Sequence, residues 1–444
     1  MNCDQARTEL IAYLKGELEK EERTRLESHL ARCPNCRHEM EGARRLLSWT
    51  EAASQEAVAK KLEEIIDGVF SAPISDIHFE PQSDDSLLVR YRIDGVLHEA
   101  GRIDSVQRYG VITRIKMLAD LSVAETDAPQ DGRFNWTFNE RTLDLRVSCI
   151  PFVFGEGIVI RILDKSGRFL KLEDVYLYED DLRMLEHWIG QPTGMIVVAG
   201  PTGSGKTTLC YSMLLRLTHA QNKVVTVENP VEMQIPGVNH IQVRSPGLTS
   251  PKAIRALLRH DPDIMYVGDV QDTETATLCA HAALTGHLVI VSLHASSAVE
   301  AIRRLVDIGT DPYLIGETLT GVTNQRLVRR PCAQCKEEAE VDFGAPAIKY
   351  LGITPDDLAD HKILRGKGCD NCRNTGYRGR AAIYELLEMD RELGAKIADG
   401  ATPIEILEAA RAKGFRTMIE DAKRKVLDGL TTPEEAVRVL AASV

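Results

Sequence analysis

The sequence is poor in aromatic residues and long hydrophobic runs, and it carries more acidic than basic side chains. Aromatic residues make up 5% of the chain, and no apolar run approaches the roughly 20 residues needed to span a bilayer. The formal net charge of −12 disfavours a protein that binds nucleic acid through a broadly basic surface. The first residues, MNCDQARTEL, have neither a basic start nor an apolar core, so we expect no signal peptide. These absences predict a cytoplasmic protein with only peripheral membrane contact.

Cysteine is the residue type whose spacing is most informative in what remains. Cys332-A-Q-Cys335 is followed, after a long insert, by Cys369-D-N-Cys372. Each C-x-x-C pair presents two thiolates to one side of a tetrahedral ion, so the four residues predict a structural zinc site. Four thiolates leave no open position, which argues against a catalytic zinc. The remaining cysteines outside metal-like spacings lie in apolar runs and are expected in the core: Cys149, Cys210 and Cys279.

A second metal site is predicted near the N-terminus. The stretch His29-L-A-R-Cys33-P-N-Cys36 places a histidine and a cysteine one helical turn apart and then adds a knuckle, and Cys3 is the fourth candidate ligand. Helical spacing is shown by the apolar residues Leu10, Ile11, Leu14, Leu18, Leu26 and Leu30. The simplest interpretation is two short helices held together by one zinc ion, because so small a unit has too little hydrophobic core to be stable without a metal or another cross-link. The segment resembles the zinc-finger domain of anti-sigma factors, which implies a protein-binding module whose partner is unknown.

The region from about 58 to 168 predicts a small α+β domain. LLVRYRIDGVL alternates, with Val89 and Tyr91 on one face and Arg90 and Arg92 on the other, and Asp94-Gly95 is a hairpin signal. FNWTF and LDLRVS alternate as well. The simplest interpretation of the many arginines in this region is that they lie on the solvent-exposed face of the strands.

A phosphate-binding loop opens the next region. The apolar run MIVVA leads into Gly200-P-T-G-S-Gly205-Lys206-Thr207-Thr208 and then into a helical pattern. This strand–loop–helix context satisfies G-x-x-x-x-G-K-[ST], whose backbone N–H groups surround phosphates at a helix N-terminus. The predicted nucleotide contacts are Gly200, Pro201, Thr202, Gly203, Ser204, Gly205, Lys206, Thr207 and Thr208. Lys206 would reach the β- and γ-phosphates, and the Thr207 hydroxyl would bind magnesium.

Three further apolar runs end in polar residues, namely Glu228, Asp269 and His294. Such runs are typical of a parallel sheet that is buried on both faces and binds its ligand at the carboxyl ends of the strands. We therefore expect these side chains to converge on the phosphate loop.

From about Leu62 to its end, the chain resembles the ATPases of type II secretion and type IV pilus assembly. The resemblance is carried by SDIHFEP, VRYRIDGVL, PQDGR, GPTGSGKTT, TVENPVE, DPDIMYVGD, TGHLVIVSLH, NQRLVRR, the four-cysteine segment and GFRTMIEDAKRKVLDGL. It implies a RecA-like ATP-binding domain preceded by a smaller domain, and a homo-hexamer that acts on an inner-membrane platform protein. It also implies catalytic roles for Glu228 and His294, and for Arg146 and Arg161 as phosphate-contacting arginines. Arg255 and Arg259 match basic residues near the subunit boundary.

Several positions depart from the family pattern. Asn229 stands where Asp is usual, Asp269 where Glu is usual, and Gln271 where Arg is usual. The shorter side chain withdraws the carboxylate by about 1.5 Å, and a displacement of about 1 Å can lower a rate on the order of 10²-fold. Because Lys206 and Glu228 remain, as do both arginines, the sequence favours a working ATPase, with room for slow turnover.

The sequence thus predicts an α/β protein that uses ATP, Mg²⁺ and Zn²⁺. It is organised as a helical finger (1–47), a linker (48–57), an α+β subdomain (58–168), a RecA-like P-loop domain (169–330), a four-cysteine segment (331–378) and a C-terminal helical region (379–444). The first hypothesis is a hexameric motor at the inner membrane that powers pilus or pseudopilus assembly. The alternative is a regulatory protein that binds nucleotide with little hydrolysis and holds a partner with its finger. A DNA-transfer ATPase is disfavoured by the zinc segment and the acidic charge.

Overall fold

The protein was examined as a computed structural model, which describes residues 3–14, 18–37, 40, 55–71, 74–163, 170–218, 221–244 and 246–441. The chain divides into two compact units, Met1–Ser166 and Gly167–Val444, which are described separately. Most of the predicted linker, residues 48–54, lies outside the described residues, and a helix begins at its end with Gln55.

The N-terminal segment of the first unit is a pair of short helices. They are α1 (Cys3–Leu14) and α2 (Lys20–Leu30). Among the described residues, their buried core is small and consists of Ala6, Leu10, Leu26, Leu30 and Cys36. One detail of the prediction was wrong: Leu18 lies between the helices, where it packs against the core from outside the helical stripe.

The rest of the first unit is one antiparallel sheet with two helices. The helices are α3 (Gln55–Asp67) and α4 (Ser105–Leu118). The strands are β1 (Ile74–Pro81), β2 (Leu87–Ile93), β3 (Val96–Ile103), β4 (Gln130–Phe138), β5 (Arg141–Phe152) and β6 (Gly155–Leu163), in the order β3-β2-β1-β6-β5-β4. Asp94-Gly95 and Asn139-Glu140 connect neighbouring strands with positive φ angles, as two-residue hairpin turns require. Alternate residues such as Val89 and Leu145 fill the core between sheet and helices.

The second unit is built on a seven-stranded sheet in the order β15-β12-β7-β11-β10-β8-β9. Its strands are β7 (Gly194–Ala199), β8 (Val224–Glu228), β9 (Asn239–Gln242), β10 (Ile264–Val267), β11 (Leu288–Leu293), β12 (Leu319–Pro331) and β15 (Tyr377–Glu388). β12, β7, β11, β10, β8 and β9 run parallel, and only β15 is antiparallel to its neighbour. Every residue of β7, β8, β10 and β11 is buried. The predicted parallel sheet, covered on both faces, is confirmed.

Helices cover that sheet and carry the chain to its C-terminus. They are α5 (Glu179–Ile189), α6 (Lys206–Leu217), α7 (Ser250–Leu257), α8 (Thr273–Leu284), α9 (Ala298–Asp307), α10 (Pro312–Thr318), α11 (Pro346–Leu351), α12 (Arg391–Ala398), α13 (Pro403–Arg411), α14 (Met418–Leu427) and α15 (Pro433–Ala441). A separate ribbon pairs β13 (Lys336–Glu338) with β14 (Leu364–Gly366) beside the four-cysteine segment. Within the described ranges, no helix is both long enough and apolar enough to cross a membrane.

Candidate nucleotide and metal sites

The phosphate loop lies between the central strand β7 and the first turn of α6. Gly200, Gly203 and Gly205 all have positive φ angles, which the loop needs in order to turn its peptide N–H groups inwards. Thr207, the predicted magnesium ligand, is in the first turn of the helix and half-buried. Pro201 and Thr202 are exposed on the outer rim, as is Thr208. The conformation is that of an anion-binding loop at a helix N-terminus.

Lys206 closes this loop. Its Nζ atom donates to the carbonyl oxygens of Gly200 at 2.8 Å and Pro201 at 2.9 Å, and it lies 3.4 Å from Nδ1 of His294. Burial lowers the pKa of Lys206, and the charge of Asp269 opposes that effect. The ammonium group is therefore held at the mouth of the loop by weak neutral acceptors that a phosphate can replace.

A glutamine on β12 supports the loop from below, and the sequence analysis missed it. Gln325 is 1% exposed, and its Nε2 donates to the carbonyl oxygen of Ser204 at 2.8 Å. A Cβ atom on Gly205 would lie 2.9 Å from this nitrogen, so a side chain there would displace the amide. The motif NQRLVRR was recognised as a resemblance, but only the neighbouring strand order shows that its second residue lies beneath the loop.

Glu228 ends β8 and is held inside the protein. Its carboxylate is 4% exposed, and its two oxygens accept hydrogen bonds from Tyr211 Oη at 2.6 Å and from His240 Nδ1 at 3.1 Å. The Ile235 N–H donates to His240 Nε2 at 3.0 Å, so the proton of the neutral ring is on Nδ1 and points at the carboxylate or at Thr226. Burial, together with the hydrogen bond from Tyr211 to Glu228, raises the pKa of Tyr211 well above its usual range. The neighbouring Asn229 is exposed.

Asp269 and His294 lie together at the carboxyl edge of the sheet. His294 Nε2 is 3.3 Å from Asp269 Oδ1, and both side chains are nearly half exposed. Gln271 donates a hydrogen bond from its amide to the other oxygen of Asp269. The structure thus brings Lys206, Asp269 and His294 together, whereas Glu228 is engaged by its own buried partners.

The predicted arginines Arg146 and Arg161 lie in the first unit, on its antiparallel sheet. Strand register places Arg133, Arg146, Arg161, Asp76 and Arg92 side by side in one row across β4, β5, β6, β1 and β2. Asp76 pairs with Arg161 at 2.9 Å and lies 3.7 Å from Arg92. Register partners project from the same face of a sheet. The row extends the prediction by Arg133, which only the pairing of PQDGR with LRVS reveals.

The arginines matched to the subunit boundary lie on and just after α7. Arg255 forms an exposed ion pair with Glu274, and Arg259 donates to the carbonyl oxygen of Arg255 at 2.9 Å. Neither contacts the phosphate loop through a hydrogen bond in the described part of the chain.

The N-terminal metal-ligating residues converge as the spacing predicted. One ligand atom from each of Cys3, His29, Cys33 and Cys36 lies within 4.8 Å of the others. Cys33 is just beyond the end of α2, but its amide nitrogen donates to the carbonyl oxygen of His29 at 2.9 Å and keeps the two ligands adjacent. Three thiols and one imidazole form a donor set that suits tetrahedral zinc. We call this group the N-terminal cluster.

The second group, Cys332, Cys335, Cys369 and Cys372, is called the C-terminal cluster. Its sulfur atoms are separated by 3.7 to 3.9 Å in the three measured pairs. A tetrahedral ion with Zn–S bonds of about 2.3 Å sets its sulfur ligands about 3.8 Å apart, so the spacing fits zinc. Amide groups of Cys369 and Gly376 donate to Cys372 Sγ at 3.2 and 3.3 Å, and Asn371 Nδ2 donates to Cys332 Sγ at 3.4 Å.

Comparison with known proteins places both parts of the chain. The type II/IV secretion system protein family matches residues 51–438, and a zinc-finger family matches residues 3–37. The type IV pilus assembly ATPase PilB of Thermus thermophilus is 40% identical over 86% of this chain and 43% of its own length. The type II secretion system protein HxcR of Pseudomonas aeruginosa is 42% identical over 82% of this chain and 73% of its own length.

Solved structures share the fold at lower identity. The ATPase DotB of Legionella pneumophila matches with a TM-score of 0.62 and 21% identity, over 86% of this chain and 95% of that one. The pilus retraction motor PilT with bound ADP matches with a TM-score of 0.54 and 21% identity, over 85% of this chain and 96% of that one. The expected RecA-like fold is therefore confirmed.

Proposed function

The chain belongs to the family of type II/IV secretion system proteins, and we propose that it is an ATPase that powers assembly of a pilus or pseudopilus. The observation that carries the proposal is the convergence of Lys206, Asp269 and His294 at one edge of the sheet. A loop that only bound nucleotide would need the lysine and the peptide groups, but it would not need a half-exposed carboxylate beside them.

The chain's own groups suit phosphate chemistry. The N–H groups of the loop and the start of α6 would hold the phosphates, Lys206 would exchange its two carbonyl acceptors for phosphate oxygens, and Thr207 would hold Mg²⁺. Mg²⁺, when bound, supplies positive charge that stabilises the charge developing on the transferred phosphoryl group. Asp269 is the accessible carboxylate at this edge, so we assign it the orientation of the attacking water.

Glu228 has a different assignment in this proposal. Its side chain is only 4% exposed and is held by Tyr211 and His240, so the carboxylate would have to leave this buried position before it could orient water. We propose that Glu228 stabilises the carboxyl end of β8 through these contacts and takes a catalytic role only after such a rearrangement.

The arginine row of the first unit is assigned to phosphate recognition. Like charges directly opposite one another in a sheet are destabilising, yet Arg133, Arg146 and Arg161 are consecutive register partners. Among the described residues, only Arg161 of these three has a carboxylate partner, Asp76. A cationic face of this kind is favourable when an anion binds to it, and arginines of this type can contribute on the order of 10³–10⁵ to the rate of phosphoryl transfer.

The remaining parts complete the proposed assembly. We propose a homo-hexamer in the cytoplasm that is peripheral at the inner membrane and acts on a platform protein there, with zinc in both cysteine clusters. No nucleic acid is expected as a partner. The zinc finger would bind a protein that the sequence does not identify.

A second candidate function has its own observation. Asp269 has one carbon fewer than glutamate, and residues 3–37 match a zinc-finger family and resemble the zinc-finger domain of anti-sigma factors. These features favour a nucleotide-binding regulatory protein with little or no hydrolysis. The two functions differ in turnover, whereas both require ATP binding.

Steady-state ATP hydrolysis by the purified full chain, separated by oligomeric size, tests the proposal. Lys206→Ala is the blank, and Arg183→Ala, an exposed arginine on α5, is the control for surface changes. Turnover above the blank and concentrated in a hexamer fraction would support the motor. ATP binding without turnover in any fraction would overturn it and favour the regulatory protein.

A further inference from the structure

The backbone of Asp269 has an unusual conformation that a hydrogen bond from its own N–H group holds in place. Asp269 has φ of +53°, a left-handed conformation that non-glycine residues adopt at a cost. Its N–H donates to Ser292 Oγ at 2.8 Å, and Ser292 is a buried residue of β11. This conformation turns the side chain of Asp269 out of the strand direction and towards His294.

The direction of the hydrogen bonds around His294 follows from its partners. Lys206 can only donate, so Nδ1 of His294 accepts from it at 3.4 Å. The proton of the neutral ring is then on Nε2, which donates to Asp269 Oδ1 at 3.3 Å. In its neutral form the imidazole therefore links the lysine of the phosphate loop to the carboxylate.

Gln271 holds the other side of the same carboxylate. Its amide nitrogen donates to Asp269 Oδ2, so each carboxylate oxygen has one donor. With His294 in its neutral form, neither donor carries a charge, and each carboxylate oxygen keeps a lone pair free. A carboxylate that is fixed in position and has a free lone pair can orient a water molecule.

We propose that Gln271 and His294 are positioning residues that together hold the carboxylate of Asp269. We call these three residues a matched set, because Gln271 at this position suits an aspartate at position 269 and would not position a glutamate there. The inference rests on the proposed ATPase function. An arginine at position 271 would form a charge-assisted, bidentate pair with Asp269 and compete with His294 for Oδ1. A glutamate at position 269 would carry its carboxylate about 1.5 Å beyond both donors.

The two positions should therefore fail to behave independently. Asp269→Glu and Gln271→Arg should each lower kcat on the order of 10–10²-fold, as expected for a displacement of about 1 Å at a reacting group. The double variant Asp269→Glu/Gln271→Arg should lose much less than the product of the two losses, because the second change re-pairs the first. The KM for ATP should change little in all three, since the phosphate loop is untouched.

The experiment measures kcat and KM for the four proteins of this cycle, together with the tautomer of His294 by NMR of histidine labelled with ¹⁵N, assigned with His294→Gln. Gln191→Ala, at a half-buried glutamine of the same unit, is the control and should leave kcat unchanged. A wild-type Nε2–H tautomer that is weakened in Asp269→Asn is the expected signature of the contact.

The outcomes separate two kinds of failure. Wild-type turnover with independent effects of the two substitutions, or with an Nδ1–H tautomer of His294, would overturn the matched set while leaving the ATPase. No wild-type turnover above Lys206→Ala would overturn the proposed function, and any catalytic role of the set with it. The tautomer would then still decide whether the contact exists. Retained coupling with the predicted tautomer would support both.

Discussion

The two cysteine clusters have similar ligand geometry and very different surroundings. The N-terminal cluster is attached to two helices whose buried core, among the residues described there, has five members. The C-terminal cluster adjoins a ribbon and a core that includes Val328, Ala381 and Ile383, on the two longest strands of the large sheet. We therefore expect a metal at the first site to be required for the local fold, and a metal at the second site to add to a fold that the large sheet also supports. The same ligand chemistry can therefore have a global consequence in one region and a local one in another.

The largest effect is expected when the N-terminal cluster is broken. Cys36→Ser removes a fully buried ligand, and so small a unit cannot retain its fold on its core alone. Structural zinc contributes about 10–16 kcal/mol of apparent binding free energy in small fingers. We expect the amides of α1 and α2 to lose their protection in hydrogen exchange of the full chain, while those of β7 and β11 keep theirs.

A core cysteine serves as the control for this change. Cys279→Ala, on α8 of the second unit, should leave the protection of α1 and α2 unchanged. Persistent protection of both helices in Cys36→Ser would show that the five-residue core suffices, and the contrast between the clusters would disappear.

A smaller and more local effect is expected from Cys335→Ser in the C-terminal cluster. β12 and β15 pair along most of their length. We expect faster exchange in β13, β14 and the turn around Cys369, and unchanged exchange in the centre of β12. Loss of protection throughout β12 would mean that the metal, and not the sheet, organises this part of the unit.

A neighbour of the C-terminal cluster should tune its affinity. Asn371→Ala removes the donor to Cys332 Sγ, and loss of such outer hydrogen bonds typically weakens metal binding about 10–100-fold. Competition with a chromophoric chelator should show one of two zinc-release steps moving by this factor. Lys362→Ala, at an exposed lysine of the same segment, should move neither step. Equal movement of both steps would contradict the separate assignment of the clusters.

The parts of this architecture that were predictable from sequence are those encoded by local spacing. The phosphate loop, the C-x-x-C pairs and the Asp94-Gly95 hairpin turn each occupy a few consecutive residues whose types are set by φ angles or ligand geometry. The apolar runs of β7, β8, β10 and β11 also predicted their burial. Leu18 was misplaced because helical spacing alone does not show where α1 ends.

The contacts that escaped prediction all join residues from different strands and helices of the folded protein. Gln325 lies under the phosphate loop because β12 neighbours β7, although Gln325 and its hydrogen-bond partner Ser204 are far apart in sequence. The arginine row exists because β4, β5 and β6 are paired in one register. Similarly, Tyr211 and His240 reach Glu228 from a helix and from an edge strand. No local pattern encodes such contacts, so a single sequence identified the functional loop but not its supports.

The smallest effect is expected in the insert between the two cysteine pairs of the C-terminal cluster. This insert is held in place by contacts with the rest of the protein as well as by the cluster. Asp357 accepts from Lys423 Nζ at 2.7 Å and from the Thr354 N–H and Oγ1 groups, and these bonds lower its pKa from 3.8 to about 2. A lowered folded-state pKa stabilises the fold above the unfolded value and ceases to do so as the pH falls through about 2. Asp357→Asn should therefore reduce the free energy of local opening by about 1 kcal/mol, after allowance for solvent screening.

Exchange of the amides around residue 357 should show a constant difference between pH 8 and pH 5 that shrinks below about pH 4, with Asp356→Asn as the exposed control. A difference that grew on acidification would mean that Asp357 is protonated in the folded protein and that the cysteine cluster alone secures the insert.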